Sequence, residues 1–183
     1  MRLSLNSIIV MVLLGFMTSK SGAQTSVTLD GGIGGGVTMP TADAANSMNS
    51  GYHLGALLRL KELLPFDVVA SASYNSMSLR DEDAREKLWV GGLGVDLPVS
   101  MAVLNPYVSV QALASFRKSP VPGVSSSARY GIGLGPGVGF SVPLLGDFDA
   151  SVKYQLINLF GKQTGEASYS QIVANLSIIF PIL

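Results

Sequence analysis

The sequence predicts an all-β fold: an eight-stranded antiparallel up-and-down β-barrel whose apolar face points outward, into a membrane. Three observations predict it. Beyond residue 23, large apolar residues alternate with small or polar ones in eight successive segments, the period of a strand with two different environments. The connections between segments alternate too, polar and longer at one end, tight and rich in Pro, Gly, Asn and Asp at the other. Aromatic residues gather at both ends of the segments and leave mostly aliphatic residues between them.

At the N-terminus, Arg2 precedes the apolar run IIVMVLLGFM (Ile8 to Met17). The stretch TSKSGA follows, with Ser21 and Ala23 at positions −3 and −1 of a cut after Ala23. This is the pattern of a secretory signal peptide. The ten apolar residues cover only about half of a bilayer core, too little for a helical anchor. Residues 1–23 are therefore expected to be a cleaved signal peptide, and residues 24–183 a single barrel domain.

In the first segment, Ser26 to Met39, Val27, Leu29, Ile33, Val37 and Met39 oppose Thr28, Asp30, Thr38 and glycines. Next, Tyr52, Leu54, Ala56, Leu58 and Leu60 oppose His53, Gly55, Arg59 and Lys61, with Leu57 an exception. Phe66, Val68, Ala70, Ala72 and Tyr74 then oppose Asp67, Ser71, Ser73 and Asn75. The fourth segment sets Trp89, Leu93, Val95, Leu97 and Val99 against Val90, Gly92, Gly94 and Asp96. In the fifth, Val108, Val110, Ala112, Ala114 and Phe116 face away from Ser109, Gln111, Leu113, Ser115 and Arg117. The sixth, YGIGLGPGVGF from Tyr130 to Phe140, places glycine at every odd position from Gly131 to Gly139, after Arg129. Phe148, Ala150, Val152, Tyr154, Leu156 and Phe160 oppose Asp149, Ser151, Lys153 and Gln155 in the seventh. The eighth pairs Ile172, Ala174, Leu176, Ile178 and Phe180 against Gln171, Val173, Asn175 and Ser177.

The expected long connections are PTADAANSMNS, RDEDAREK, KSPVPGVSSSA and GKQTGEAS; the tight ones are KELLPFD, DLPVSMAVLNP and VPLLGD. Such an order describes neighbouring antiparallel strands, and eight of them close without free edges. Side-chain volume then sets the facing. An eight-stranded lumen is just wide enough to be filled by side chains, so the glycines, serines and few charges fit inside, and the large apolar set faces out. Such a surface requires lipid, and with a signal peptide upstream it places the chain in a bacterial outer membrane, its longer loops external. Tyr52, Tyr74, Trp89, Phe116, Tyr130 and Phe160 form one expected interfacial girdle, and Phe66, Phe140, Phe148 and Phe180 the other.

Segments such as NPYVSVQALASF and YGIGLGPGVGFSVPL resemble those of the OmpA/OmpX-like small outer-membrane β-barrel proteins, and the resemblance extends over essentially all of Gln24 to Leu183. It implies the barrel fold and insertion by the barrel-assembly machinery. Members of that group commonly end in an aromatic residue, whereas this chain ends SIIFPIL, with Phe180 three residues from the end.

Charged residues make up 13% of the chain, about half the usual share of a soluble domain, and mean hydropathy is +0.41. Without Arg2 and Lys20, 10 basic residues stand against 12 acidic ones, which offers no basic surplus for nucleic acid. A single His and no Cys make no metal cluster. The glycine runs fail the dinucleotide fingerprint, since the sixth position counted from Gly131 is Pro136, and no phosphate-loop GK[ST] occurs. No cofactor is expected.

Asp30, Arg59, Asp96, Gln111, Arg129, Asp149 and Lys153 are expected to form a polar network in the lumen, structural or gating. His53, close to a loop end, raises the alternative of a lipid-modifying enzyme with Ser76 and Asp81 as partners; a small pore for ions or solutes is the other alternative. The function expected is non-catalytic: a monomeric barrel in outer-membrane lipid, structural or surface-interacting through four long external loops, whose partner the loop residues do not specify. Pro136, in a barrel with no free edge, is expected to mark a bulge or a broken ladder.

Overall fold

The computed structural model describes residues 27–62, 64–80, 83–99, 104–118, 128–161 and 167–183. The expected signal peptide lies outside them. Eight strands follow one another: β1 (Thr28–Thr41), β2 (Met48–Lys61), β3 (Asp67–Leu79), β4 (Arg85–Pro98), β5 (Asn105–Lys118), β6 (Ala128–Val142), β7 (Gly146–Phe160) and β8 (Ser170–Pro181). Each pairs antiparallel with its chain neighbour, and β8 returns to β1 to close the barrel. At the seam Asp30 opposes Pro181 and Thr41 opposes Ser170. Beyond Pro181 the chain end stays attached: Leu29 donates to Leu183 O, and Ile182 donates to Leu29 O.

The alternation of the sequence becomes an inside and an outside. Ile33, Leu54, Trp89, Leu93, Leu134 and Leu176 are more than half exposed on the outer face, whereas Thr38, Asn75, Glu86, Asp96 and Asp149 are buried in the lumen. The outward aromatics pair across strands. Tyr74 and Trp89 are register partners with ring centroids 5.0 Å apart. Phe140 and Phe148 oppose each other at the other end and stack at 5.7 Å. The Phe180 ring covers Gly31, its partner across the seam, where a Cβ would collide with it.

The strands run further toward the loop end (the end of the β1–β2, β3–β4, β5–β6 and β7–β8 connections) than the apolar alternation does. β2 starts at Met48, β3 continues to Leu79 and β4 starts at Arg85. Backbone pairing does not need apolar side chains, so the ladder continues through Ser76, Ser78, Glu86 and Lys87. Two of the four connections expected to be long are therefore short. Residues 80–84 join β3 to β4, no more than the 62–66 turn at the opposite end, and residues 42–47 hold a one-turn helix α1 (Ala44–Ser47).

Pro136 interrupts a ladder without a bulge. It pairs with Val108 on β5, but toward β7 the pairing stops at Leu134–Tyr154 and resumes at Gly137–Ser151 in the same register. The bulge in this pair lies elsewhere, between Tyr130–Phe160 and Ile132–Leu156, where extra β7 residues place Ile157 and Asn158 in succession on the buried side. Pro40 is tolerated because the β1–β2 ladder has already ended at Thr38–Gly51.

At the turn end, Leu145 N donates to Val142 O at 3.0 Å, closing a β-turn over Pro143 and Leu144. Leu144 is fully exposed and adopts φ 70°, a left-handed conformation unfavourable to a side chain with a Cβ. Leu144→Gly is expected to stabilise the barrel by about 0.5–1 kcal/mol, read as a higher urea midpoint for the folded protein in detergent.

Candidate functional site

The lumen is built in layers. Nearest the turn end, Lys61 Nζ pairs with Asp30 Oδ2 at 2.5 Å, with Lys61 partly exposed. One step inward, Arg59 of β2 crosses the barrel: Nε donates to Asp96 Oδ2 at 3.0 Å, on β4, and Nη2 to Asp149 Oδ2 at 2.9 Å, on β7. These three strands are not neighbours, so the contact spans the lumen rather than the sheet. Tyr107 of β5 completes the layer. Its hydroxyl donates to both Asp149 oxygens at 2.8 and 3.0 Å, and its ring lies 4.8 Å below the Arg59 guanidinium. Buried charges persist when paired and hydrogen-bonded, which this arrangement provides.

The room for Tyr107 comes from β6. Gly137 is its direct partner, and a Cβ there would overlap the phenol ring. Farther along β6, Leu113 and Gln155 fill the space over Gly133. Gly137 thus makes room for Tyr107, and Gly133 for Leu113 and Gln155. Gln111 instead lies over Gly92 and accepts from Ser71 Oγ at 3.2 Å.

Above this layer is a chamber of about 70 Å³ lined by His53, Ser73, Gln111, Lys153, Gln155 and Asn175, among others. That volume holds a few waters. His53 is buried, and its Nε2 donates to Asn175 Oδ1 at 2.9 Å. Ser76 is not brought to it: Ser76 shares the outward side of Tyr52 and accepts from Arg85 Nε at 3.0 Å. Asp81 lies outside the described residues.

A second layer closes the loop end. Glu86, fully buried on β4, forms an ion pair with Arg117 of β5, whose Nη2 donates to Glu86 Oε2 at 2.7 Å. Arg117 lies 5.6 Å from the ring of Tyr169, and Tyr169 Oη donates to Met77 Sδ at 3.3 Å. Burial pushes the Tyr169 phenol well above its ordinary pKa; Glu86 adds to the rise and Arg117 opposes it, so the hydroxyl keeps its proton. The β7 bulge holds Tyr169 in place: Ile157 N donates to Tyr169 O at 2.9 Å, and Asn158 Oδ1 accepts from Tyr169 N at 2.8 Å. Met48, Met77, Leu88, Val90, Leu113 and Ile157 pack around this layer as a small apolar core inside the barrel. Val90 and Leu113 were expected to face inward among glycines, serines and charges; at this end they gather with Met48, Met77, Leu88 and Ile157 into an apolar cluster that Ala44 of α1 and Tyr169 join.

Of the seven residues expected as one network, Arg59, Asp96 and Asp149 are brought together; Asp30 pairs separately with Lys61, and Gln111 and Lys153 line the chamber. Arg129 is buried far from the Arg59 layer, near the loop end of β6, with Nη1 donating to Ala128 O at 3.3 Å. Tyr107, Glu86 and Tyr169 were not anticipated. Tyr107 was legible, since it shares the inward parity of Ser109 and Gln111. Tyr52, Trp89, Phe116, Tyr130 and Phe160 stand exposed on the outer face at the loop end, with Tyr74 half-buried beside Trp89; Phe66, Phe140, Phe148 and Phe180 are at the turn end.

No protein-family model matches the sequence, and no curated protein matches it. Among solved structures, the fold is similar to that of Neisserial surface protein A (NspA), with a TM-score of 0.58 and 17% identity over 87% of this chain and 100% of that chain. The likeness carries the fold.

Four variants test the turn-end layer. Arg59→Met leaves two buried carboxylates without their cation and is expected to cost about 3–5 kcal/mol of unfolding free energy; replacing Arg59, Asp96 and Asp149 together by apolar residues restores most of it. Gly137→Ala, which displaces Tyr107, is expected to cost about 1–3 kcal/mol. Gly139→Ala meets its nearest atom only at 3.6 Å and is expected to stay within about 0.5 kcal/mol of the parent. Urea titration of each folded variant checks all four.

Proposed function

We propose that the chain is an integral outer-membrane protein of the OmpA/OmpX-like kind. In this reading it is exported by residues 1–23, inserted by the barrel-assembly machinery, and works as a monomer without catalysis. Its role is structural or surface-interacting, with the loop end as the contact face. The observation that carries this is the combination of an apolar outer wall with a lumen sealed by two transverse layers, Arg59–Asp96–Asp149–Tyr107 and Glu86–Arg117–Tyr169. A wall of exposed Leu, Ile, Val and aromatics is stable only against lipid, and a lumen closed at both levels favours a plug over a conduit. His53 is held by Asn175 with neither a serine nor a carboxylate bonded to it among the described residues, which gives the enzyme alternative no support.

Folded into lipid vesicles, the chain is expected to migrate faster unheated than boiled on a gel, and to give a flat current trace in a planar bilayer once insertion is verified. Discrete openings would replace the sealed barrel with a small pore.

A further inference from the structure

The outer face is almost free of charge, and its exceptions are all of one sign and in one place. Among the described strand residues, every carboxylate has inward parity, from Asp30 on β1 to Asp149 on β7. The charges with outward parity are Arg85, Lys87 and Lys118, at the loop ends of β4 and β5. Lys87 and Lys118 are direct register partners, and both are exposed. Like charges opposed across a ladder repel, and no carboxylate among the described residues pairs with either. Glu86, the acid between Arg85 and Lys87, is turned inward to Arg117.

The same register row carries hydrogen-bonding groups. Tyr52, Ser76, Lys87 and Lys118 lie side by side across β2, β3, β4 and β5. Arg85 leans over this row, its guanidinium 5.2 Å from the Tyr52 ring and its Nε bonded to Ser76 Oγ. One row closer to the barrel middle stand Tyr74, Trp89 and Phe116, again direct partners. An aromatic row marks the height where acyl chains give way to headgroups, so the three cations stand at the height of headgroup phosphates.

We infer that Arg85, Lys87 and Lys118 form a docking site on the outside of the barrel for the phosphate groups of an outer-leaflet lipid, the phosphorylated glycolipid lipid A. Charge complementarity selects the occupant: a dense anion at this level relieves the Lys87–Lys118 repulsion, Arg85 offers a planar pair of donors to phosphate oxygens, and the acyl chains lie along the apolar wall below. The inference rests on the outer-membrane reading, with the loop end outward.

Trp89 is the sole tryptophan and stands directly below the site, so its fluorescence reports occupancy. The folded chain in uncharged detergent is titrated with bisphosphorylated lipid A, with the same lipid stripped of phosphate, and with inorganic phosphate; native mass spectrometry counts bound lipid in parallel. The phosphorylated lipid is expected to saturate at a concentration about tenfold or more below that of the stripped one, the effect of one or two charge-assisted hydrogen bonds. An Arg85→Gln, Lys87→Gln, Lys118→Gln triple variant is expected to lose that preference while keeping its fast unheated migration. Equal binding of the two lipids by the parent chain, or an undiminished preference in the triple variant, overturns the site. Competition by inorganic phosphate at the lipid's own concentration assigns the site to free phosphate and overturns it as a lipid site. Loss of fast unheated migration in the parent chain instead overturns the membrane barrel itself.

Discussion

Closing eight strands into one barrel fixes an interior so narrow that it must be filled by the barrel's own side chains, and the remaining structure answers to that limit. A charged group facing inward must find its partners among the other inward groups, because little water shares the space. Arg59 therefore reaches past its sheet neighbours to Asp96 and Asp149, and the Tyr107 hydroxyl supplies a further donor to Asp149. The fit is mutual: Tyr107 enters because Gly137 opposite it has no side chain. The bare face of β6 and the crowded faces of β2, β4, β5 and β7 are thus one packing solution, distributed over residues far apart in sequence.

The interior is not uniform along its axis. Near the turn end it is held by charge and hydrogen bonds, near the loop end by an ion pair set into an apolar cluster of Met48, Met77, Leu88, Val90, Leu113 and Ile157. The second arrangement is a conventional hydrophobic core in miniature, possible because α1 and the segment before β8 cover it. Between the two lies a small polar chamber.

Much of this was legible in the sequence. A period of two gives the face of each residue whatever the exact strand ends are, so Asp96, Asp149 and Arg59 could be placed inside before any partner was known. Three things were hidden for physical reasons. Strand ends at the loop end were obscured because backbone pairing continues through Ser76 and Lys87 after the apolar marker has run out. Glu86 was concealed in a run of charges that looks solvated, although its parity sends it inward between two outward cations. The β7 bulge breaks the period for which the sequence is read, so Ile157 and Asn158 could not be assigned to the buried side, nor Tyr169 to the place they make for it.

The seam between β1 and β8 bears on how such a chain reaches its final form. Twelve register pairs join Asp30–Thr41 to Ser170–Pro181, and Leu29 is bonded to the last two residues, Ile182 and Leu183. Every other strand pair joins segments adjacent in the sequence. The seam alone brings together the two ends of the domain, and the entropy of closing that largest loop is recovered only when both strands are present. Hairpins can form in any order, but the circle is completed by β8, the last strand of the barrel to be made. Until then β1 offers an open edge with no partner in its own chain, so the unfinished barrel is most vulnerable to foreign strands at its earliest-made element.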